Sequence, residues 1–444
     1  MKVAFLFPGQ GSQKVGMGAD LYENMEAARA MFDRADAVLG FELSTLCFHG
    51  PEEDLRQTIN TQPALYVTSC AALEALRSRF DEDFDVEPFA VAGHSVGEYA
   101  ALYAAGVVDF EKGLALVRRR AELMHAAALA KPGAMTAILG LDAEPVREAC
   151  EQARSETKAV VAVANYNSPG QIVISGEAAG VERAGEIAKQ KGAKRLIPLA
   201  VSGAFHSPLM VSAGDALYND LREAGFRQAT VPVVVNVTAE YNRAAADFAP
   251  FLTMQVSGSV RWEESMRRLL DDGVDTFVEI GSGEVLAGLL KRIDKSARAL
   301  NVQDSASLDA TVALLREWME PEPDSAAPSP SVIYHITRRD AWEQAAPSGS
   351  YAADSLDAEG FIHCSTHEQV AASANNHFRA RHGLVLLTID PARVQPEIRY
   401  EAASNGQLYP HIHGPLNVDA VTAVTDFEPG PDGRFTPPTE AARE

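Results

Sequence analysis

The chain predicts an α/β fold: a mostly parallel sheet with helices on both faces, an inserted ferredoxin-like subdomain, and a small α+β domain behind it. Three observations predict it. Short apolar runs alternate with longer amphipathic stretches through residues 1–319. Residues 133–199 read strand, helix, strand, strand, helix, strand, the ferredoxin-like order. A stretch at 320–331 mixes Pro, Ser, Ala and acid without an apolar period and reads as a linker to residues 332–444. At 444 residues the chain exceeds one ordinary core, which also favours two or three domains.

The first strand is Val3 to Phe7, an apolar run that Pro8 stops, too short for a signal-peptide core. Thr61 to Phe80 has the length and pattern of a helix. Pro88 to Ala92 reads as a buried strand and Glu98 to Tyr103 as the helix after it. A longer helix covers Phe110 to Leu129. The insertion supplies strands at Ala134 to Gly140, Ala159 to Asn165, Gln171 to Ser175 and Arg195 to Leu199, with helices at Glu144 to Arg154 and Ala178 to Lys191. Strands at Val231 to Asn236 and Thr276 to Ile280, then a helix at Val285 to Ile293, complete the first part. Beyond the linker the composition changes. No lysine follows Lys295, while seven of the eleven histidines (His335, His363, His367, His377, His382, His411, His413) lie there, so the two parts are unlike.

Composition excludes several functions. Hydrophobic residues make up 46% and mean hydropathy is −0.10, yet no apolar run approaches the roughly 18 residues of a membrane helix, so no membrane role is expected. Cys47, Cys70, Cys150 and Cys364 form no C-x-x-C pair, which suits core residues in a reducing cytoplasm. A net charge of −22 argues against a nucleic-acid partner, which needs a basic surface. The one compact basic run, Lys189 to Arg195, reads either as a solvated helix end placed against the C-terminal dipole or as a dock for an anionic partner.

Chemistry enters at Gly93-His94-Ser95-Val96-Gly97, between a strand and a helix. This is the pattern of a nucleophile elbow at the top of an α/β-hydrolase-like sheet. Glycine at both flanking positions lets strand and helix approach without a Cβ clash, and the turn exposes the Ser95 hydroxyl. The Val96 N–H and the helix dipole then face any oxyanion formed beside Ser95, which favours acyl transfer. The base must come from elsewhere, since His94 adjoins Ser95 and should point away. His49 and His125 have bland readings as capping or surface residues. His206, on a loop after a strand, is the candidate catalytic histidine.

Six segments carry a family resemblance: Phe7 to Gln13, Thr61 to Ala64, Gly93 to Tyr99, Asn165 to Gln171, Gly203 to Met210 and Gln255 to Trp262. They occur in the order found in malonyl-CoA:acyl carrier protein transacylases, and the resemblance covers about residues 1–319. It implies Ser95 as nucleophile, His206 as base, and Gln255 as the residue that supports the histidine. Gln10 and Val96 would form the oxyanion hole. Arg120 would grip the malonyl carboxylate, with Phe205, His94 and Asn165 around the substrate. Without the resemblance, Arg118, Arg119 and Arg120 are indistinguishable. The implied partners are malonyl-CoA, as substrate, and acyl carrier protein, with no cofactor and no metal. Phe205 resembles the bulky residue of malonyl-selective relatives. Ser282, Glu284 and Ser259 depart from the pattern at turns. Acyl carrier proteins are themselves acidic, so docking would need a cationic patch such as Lys189 to Arg195.

The rival class is a serine thioesterase or esterase, since the same elbow serves both; such an enzyme would normally carry an acid between serine and histidine and a glycine-rich oxyanion loop. Ile333 to Thr337, Tyr351 to Leu356, Glu359 to Ser365, Leu384 to Asp390 and Tyr409 to Leu416 carry a second resemblance: the second part, about Val332 to Pro438, is similar to a small uncharacterised bacterial domain associated with an ADP-ribosyltransferase-like fold. That association implies a dinucleotide contact at His335, with His363 and His411 as further candidates. Two rivals stand beside it: a zinc site from His363, Cys364, His367, His411 and His413, and an inert binding module with hydrogen-bonded strand-end histidines.

Overall fold

A computed structural model describes residues 1–81, 84–201, 203–319, 332–402 and 407–438. The chain divides into two compact units, residues 1–320 and 321–444. The linker expected at 320–331 lies outside the described residues.

The first unit is built on a six-stranded sheet, in the order Arg298–Val302, Thr276–Ile280, Val3–Phe7, Ala90–Gly93, Val233–Val234, Tyr241–Asn242. The first five strands are parallel and the last is antiparallel. Val3–Phe7 is buried at all five positions, as a central parallel strand covered on both faces must be. Its register pairs Phe7 with Gly93, so the loops after both strands leave the sheet at the same level and side by side. Ligand sites of open α/β sheets form at such carboxyl ends.

The helix expected from Thr61 begins a turn earlier and runs Thr58–Arg77 with Pro63 inside it. Proline removes the hydrogen bond to the carbonyl four residues back, that of Ile59. Arg118 Nη1 donates to that carbonyl at 3.0 Å instead, which is how the helix continues through the proline. The strand expected at Val231 to Asn236 is reduced to Val233–Val234, because Asn236 leaves the ladder for contacts described below.

A second sheet, in the order Val161–Ser168, Gln171–Gly176, Ala134–Leu139, Arg195–Pro198, is antiparallel throughout. Helices Ala143–Thr157 and Ala178–Gln190 belong to the same segment. Ile138, Val146, Ile172, Ile174 and Ile187 are among the residues of its separate apolar core. A bridge between Asn165 and Val260 ties it to the rest of the unit.

Among its described residues, the second unit holds three small antiparallel sheets. Leu384–Ile389 pairs with Ile333–Arg338 and Val421–Asp426, Ser350–Tyr351 with Leu416–Asn417, and Leu408–His413 with Ile362–His363 and Glu397–Ala402. Ile333, Trp342, Tyr351, Ile362, Cys364 and Ile412 lie in its main core. All four cysteines of the chain are buried and unbridged. Among the described residues, no helix is long and apolar enough to cross a membrane.

Candidate active site

Strand Ala90–Gly93 ends at the elbow, and helix Gly97–Ala104 begins directly after it. Ser95 sits at φ 52, a left-handed conformation that non-glycine residues rarely hold without support. Both flanking glycines are required by space. A Cβ on Gly93 would stand 2.0 Å from the Gly97 carbonyl, and one on Gly97 would stand 2.2 Å from the Phe7 oxygen. The Ser95 N–H donates to Asn236 Oδ1 at 2.7 Å, and Asn236 Nδ2 donates to the Gly93 carbonyl at 2.7 Å.

His206 is also left-handed, at φ 56, and its Nε2 lies 2.7 Å from Ser95 Oγ. Its Nδ1 faces two backbone carbonyls, Gln255 O at 2.9 Å and Gly258 O at 3.1 Å. Both are acceptors only, so Nδ1 carries the proton and Nε2 is free to accept the one on Ser95. Burial, reinforced by Arg120 and His94, lowers the imidazole to about 3, so it is neutral near pH 7. Gln255 therefore reaches the histidine through its backbone carbonyl. Its side chain works elsewhere: Nε2 donates to Ser95 O at 2.9 Å and to Glu98 Oε2 at 2.8 Å.

Arg120 stands on helix Phe110–Ala130 and is only 1% exposed. Nη1 donates to Gln62 Oε1 at 2.6 Å, while Nη2 donates to Ser95 Oγ at 3.0 Å and Gln255 Oε1 at 2.9 Å. Its neighbours face away: Arg118 binds Glu122 and the Ile59 carbonyl, and Arg119 pairs with Asp220. The ambiguity among the three arginines is thus resolved by helix phase, which puts one of three consecutive side chains inward. Among the described residues its hydrogen-bond partners are all neutral, so the buried guanidinium keeps a charge that an anion could pair with.

These groups open into one pocket. Gln62, Ser95, Arg120 and His206 supply its polar groups, Gln10, Val96, His94 and Asn165 line it, and Met124, Met135, Leu199, Val201 and Phe205 make it apolar. Among the described residues, neither the Gln10 nor the Val96 N–H is engaged in a hydrogen bond, as an oxyanion hole requires. His94 lies against Trp262, with Nε2 2.9 Å from Asn167 Oδ1. The turn departures make local bonds: Ser282 Oγ donates to Ser12 O, Ser259 Oγ to Val163 O, and Glu284 accepts from Asn301 Nδ2.

Three residues of this site were not assigned from sequence. Gln62 falls in the Thr61 to Ala64 segment but carries no chemistry by type. Asn236 follows a strand as many turn residues do. Glu98, next to the elbow, reads as an ordinary helix-start acid until its burial is seen. In the basic run, Lys191 pairs with Glu148 and Lys189 Nζ donates to the Lys194 carbonyl. Lys194 and Arg195 are exposed and have no carboxylate partner among the described residues.

The second unit's histidines do not form one site. His335 is enclosed, with Nδ1 2.7 Å from the His363 carbonyl and Nε2 3.0 Å from the Tyr351 hydroxyl, which in turn donates to Thr337 Oγ1 at 2.7 Å. The side chains of His363 and His411 meet each other instead, Nδ1 to Nε2 at 3.3 Å, beside Phe361 and Glu401, and touch His335 only through the His363 carbonyl. Cys364 is buried in the core. Among the described residues, no three His, Cys, Asp or Glu side chains are grouped to hold a metal ion.

Comparison with known proteins places this geometry. The acyl transferase domain family matches residues 4–313, and a protein family of unknown function (DUF952) matches residues 336–424. The malonyl CoA-acyl carrier protein transacylase of Bacillus subtilis is 47% identical, over 71% of this chain and 98% of that protein. That of Escherichia coli is 40% identical, over 70% of this chain and 99% of its own length. Among solved structures, a malonyl-transacylase in complex with its type II polyketide acyl-carrier protein aligns with a TM-score of 0.67 and 41% identity, covering 71% of this chain and 100% of that one. The Streptococcus pneumoniae transacylase aligns at 0.66 and 43%, covering 70% and 100%. The chain belongs to the acyl transferase family, and its first unit is a malonyl-CoA:acyl carrier protein transacylase domain.

Proposed function

We propose that residues 1–320 transfer a malonyl group from coenzyme A to the phosphopantetheine thiol of acyl carrier protein, for fatty acid synthesis, through a malonyl ester on Ser95. The observation that carries this is the convergence of His206 Nε2 and Arg120 Nη2 on one hydroxyl, at 2.7 and 3.0 Å. The malonyl carboxylate pairs with the Arg120 guanidinium, which sets the thioester carbonyl over Ser95. Ser95 Oγ attacks that carbonyl as its proton passes to His206 Nε2, and the Gln10 and Val96 N–H groups hold the tetrahedral oxyanion. Collapse breaks the carbon–sulfur bond, and His206 returns the proton to the coenzyme A thiolate. The carrier's thiol then takes the acyl group by the same steps in reverse order. On this reading the side chains of Ser95, His206 and Arg120 and the two backbone N–H groups supply the chemistry, and the reaction calls for no cofactor or metal.

The neutral His206 and its main-chain support favour this over a serine thioesterase or esterase, since among the described residues no acid touches Nδ1. Within the first unit, the strand order of the second sheet supports reading residues 133–199 as a ferredoxin-like insertion in a hydrolase-like core. Domain limits of 1–319 and 332–444, a cytoplasmic location and docking of the carrier near Lys189 to Arg195 belong to the same reading. For the second unit, an ADP-ribosyltransferase-like nucleotide binder and an inert binding module remain two readings; the enclosed His335 favours the second. Titration with NAD distinguishes them.

The test is incubation with radiolabelled malonyl-CoA, with and without acyl carrier protein, beside Ser95→Ala. Label held through Ser95 and passed to the carrier is expected. Label released only as malonate would make the domain a hydrolase.

A further inference from the structure

Glu98 lies directly under the nucleophile and belongs to no step above. It is 1% exposed, on the first turn of helix Gly97–Ala104. Its Oε2 accepts two hydrogen bonds, from Gln255 Nε2 at 2.8 Å and from the Asn236 backbone N–H at 3.2 Å. Its Oε1 is buried without a partner among the described residues. A buried carboxyl with half its hydrogen-bonding capacity unused is costly, so the contacts it does make call for a reason beyond packing.

That reason is visible in what the two donors do next. Asn236 accepts the Ser95 N–H through Oδ1, at 2.7 Å, and fixes Gly93 O through Nδ2. Gln255 donates to Ser95 O at 2.9 Å and holds Arg120 Nη2 through Oε1 at 2.9 Å. Both peptide groups that flank the left-handed Ser95 are therefore clamped, and both clamps are anchored on one carboxyl oxygen. We infer that Glu98 is a positioning residue for the acyl transfer: through Asn236 and Gln255 it holds the strained Ser95 backbone and keeps the Arg120 fork turned into the pocket. This rests on the malonyl-transfer reading for Arg120 alone; the hold on Ser95 stands for any chemistry at that serine.

The consequence is geometric. Unclamped, a residue at φ 52 relaxes toward an ordinary conformation and swings Oγ away from His206 Nε2. Burial raises the Glu98 carboxyl to about 7, and the neutral acid keeps its carbonyl oxygen as an acceptor, so an anion is not needed for the role.

The experiment uses the full chain with Glu98→Gln, Glu98→Leu and Asn236→Leu. One readout is the labelling rate of Ser95 by a neutral fluorophosphonate, which needs no arginine. The other is the single-turnover rate of malonyl-Ser95 formation at saturating malonyl-CoA. Glu98→Gln retains an acceptor oxygen and is expected to stay near the parent in both. Glu98→Leu and Asn236→Leu, while still folded, are expected to slow labelling by about a hundredfold, the scale of an ångström of misplacement. Parent-like labelling in folded Glu98→Leu, or a Glu98→Gln as slow as Glu98→Leu, would overturn the inference. Where Glu98→Leu does not fold, folded Asn236→Leu decides it by the same criterion. Failure of the malonyl-transfer reading would show separately, as a parent chain that labels with fluorophosphonate but never carries malonate.

Discussion

Arg120 Nη2 donates to Ser95 Oγ across 3.0 Å, on the same oxygen that faces His206 Nε2 at 2.7 Å. With the arginine donating in, the hydroxyl proton is left to point at the histidine, so the group proposed to hold the malonyl carboxylate also sets the direction of the Ser95 proton. Substitution of Arg120 should therefore harm more than binding. In Arg120→Ala, kcat/KM for malonyl-CoA is expected to fall by about a hundredfold or more, the scale for truncating one partner of a buried charged pair. Arg120→Lys should rescue little, since a point charge cannot reach Gln62, Gln255 and the substrate together. Steady-state kinetics with malonyl-CoA and with acetyl-CoA, which lacks the carboxylate, checks both. A loss confined to KM would assign Arg120 to binding alone.

The site's legibility followed its chemistry. Gly93, Gly97 and Ser95 could be read from sequence because strand-to-helix turns have few solutions, and the spaces of 2.0 and 2.2 Å at the two glycines show why. Arg120 was legible only through resemblance. Helix phase cannot be fixed between three adjacent arginines until it is known which face meets Ser95. Gln62 and Asn236 were illegible because an amide acts by its place, and theirs arise from contacts 58 and 141 positions away in the chain. The helix at Thr58–Arg77 begins before the expected Thr61 because Arg118, on another helix, takes the Ile59 carbonyl that Pro63 leaves without its helical donor, a contact no local pattern shows.

The elbow's close approach predicts a stability effect. Gly97→Ala places a methyl 2.2 Å from the Phe7 oxygen and 2.8 Å from the Pro8 oxygen, both backbone atoms that cannot rotate aside. The change is expected to cost about 3 kcal/mol or more, at the upper end for overpacking. Gly288→Ala, in helix Val285–Ile293 where nothing lies within 4 Å, is the control and should be neutral to about 1 kcal/mol stabilising. Thermal melting of the two variants against the parent checks the contrast. Equal melting of all three would mean that strand and helix can separate at no cost.

Burial of a neutral histidine predicts acid lability with a defined sign. His206 falls from an ordinary 6.5 to about 3 in the folded chain, so between those values the unfolded state binds a proton that the folded state refuses. The stability it contributes is complete above pH 6.5 and is lost as pH falls toward 3. His335, lowered to about 4 by burial, acts in the same direction. Glu98 and Glu279, both raised to about 7 by burial, act oppositely: they favour the folded state below their ordinary 4.5 and lose that effect as pH rises through 7. The sum is mixed, so a difference measurement is needed. The drop in denaturation midpoint from pH 7.5 to pH 5 should be smaller in His206→Gln than in the parent. An equal drop would mean that the buried ring takes up its proton without loss.

Selectivity against a branched acyl group is predicted to reside in Phe205. The ring lines the pocket, is 4% exposed, and adjoins His206, whose left-handed backbone fixes where residue 205 can stand. It has little room to retreat. A Cβ on Gly203 would already lie 3.3 Å from Phe205 Cε1 and 2.4 Å from Ala128 Cβ, so the wall behind the ring is closed. An α-methyl on the malonyl group must then displace the ring or lift the thioester from Ser95. One methyl in a tight apolar site is worth about 10- to 200-fold in kcat/KM. The parent is expected to prefer malonyl-CoA over methylmalonyl-CoA within that range, and Phe205→Ser to bring the ratio close to one. The change should come mainly from faster methylmalonyl transfer, because the wall is removed while Arg120 and His206 stay in place. A variant that slows both substrates equally would show that Phe205 positions His206 rather than gauging the acyl group, and would move the search for the gauge to Met124, Met135 and Val201, which also line the pocket.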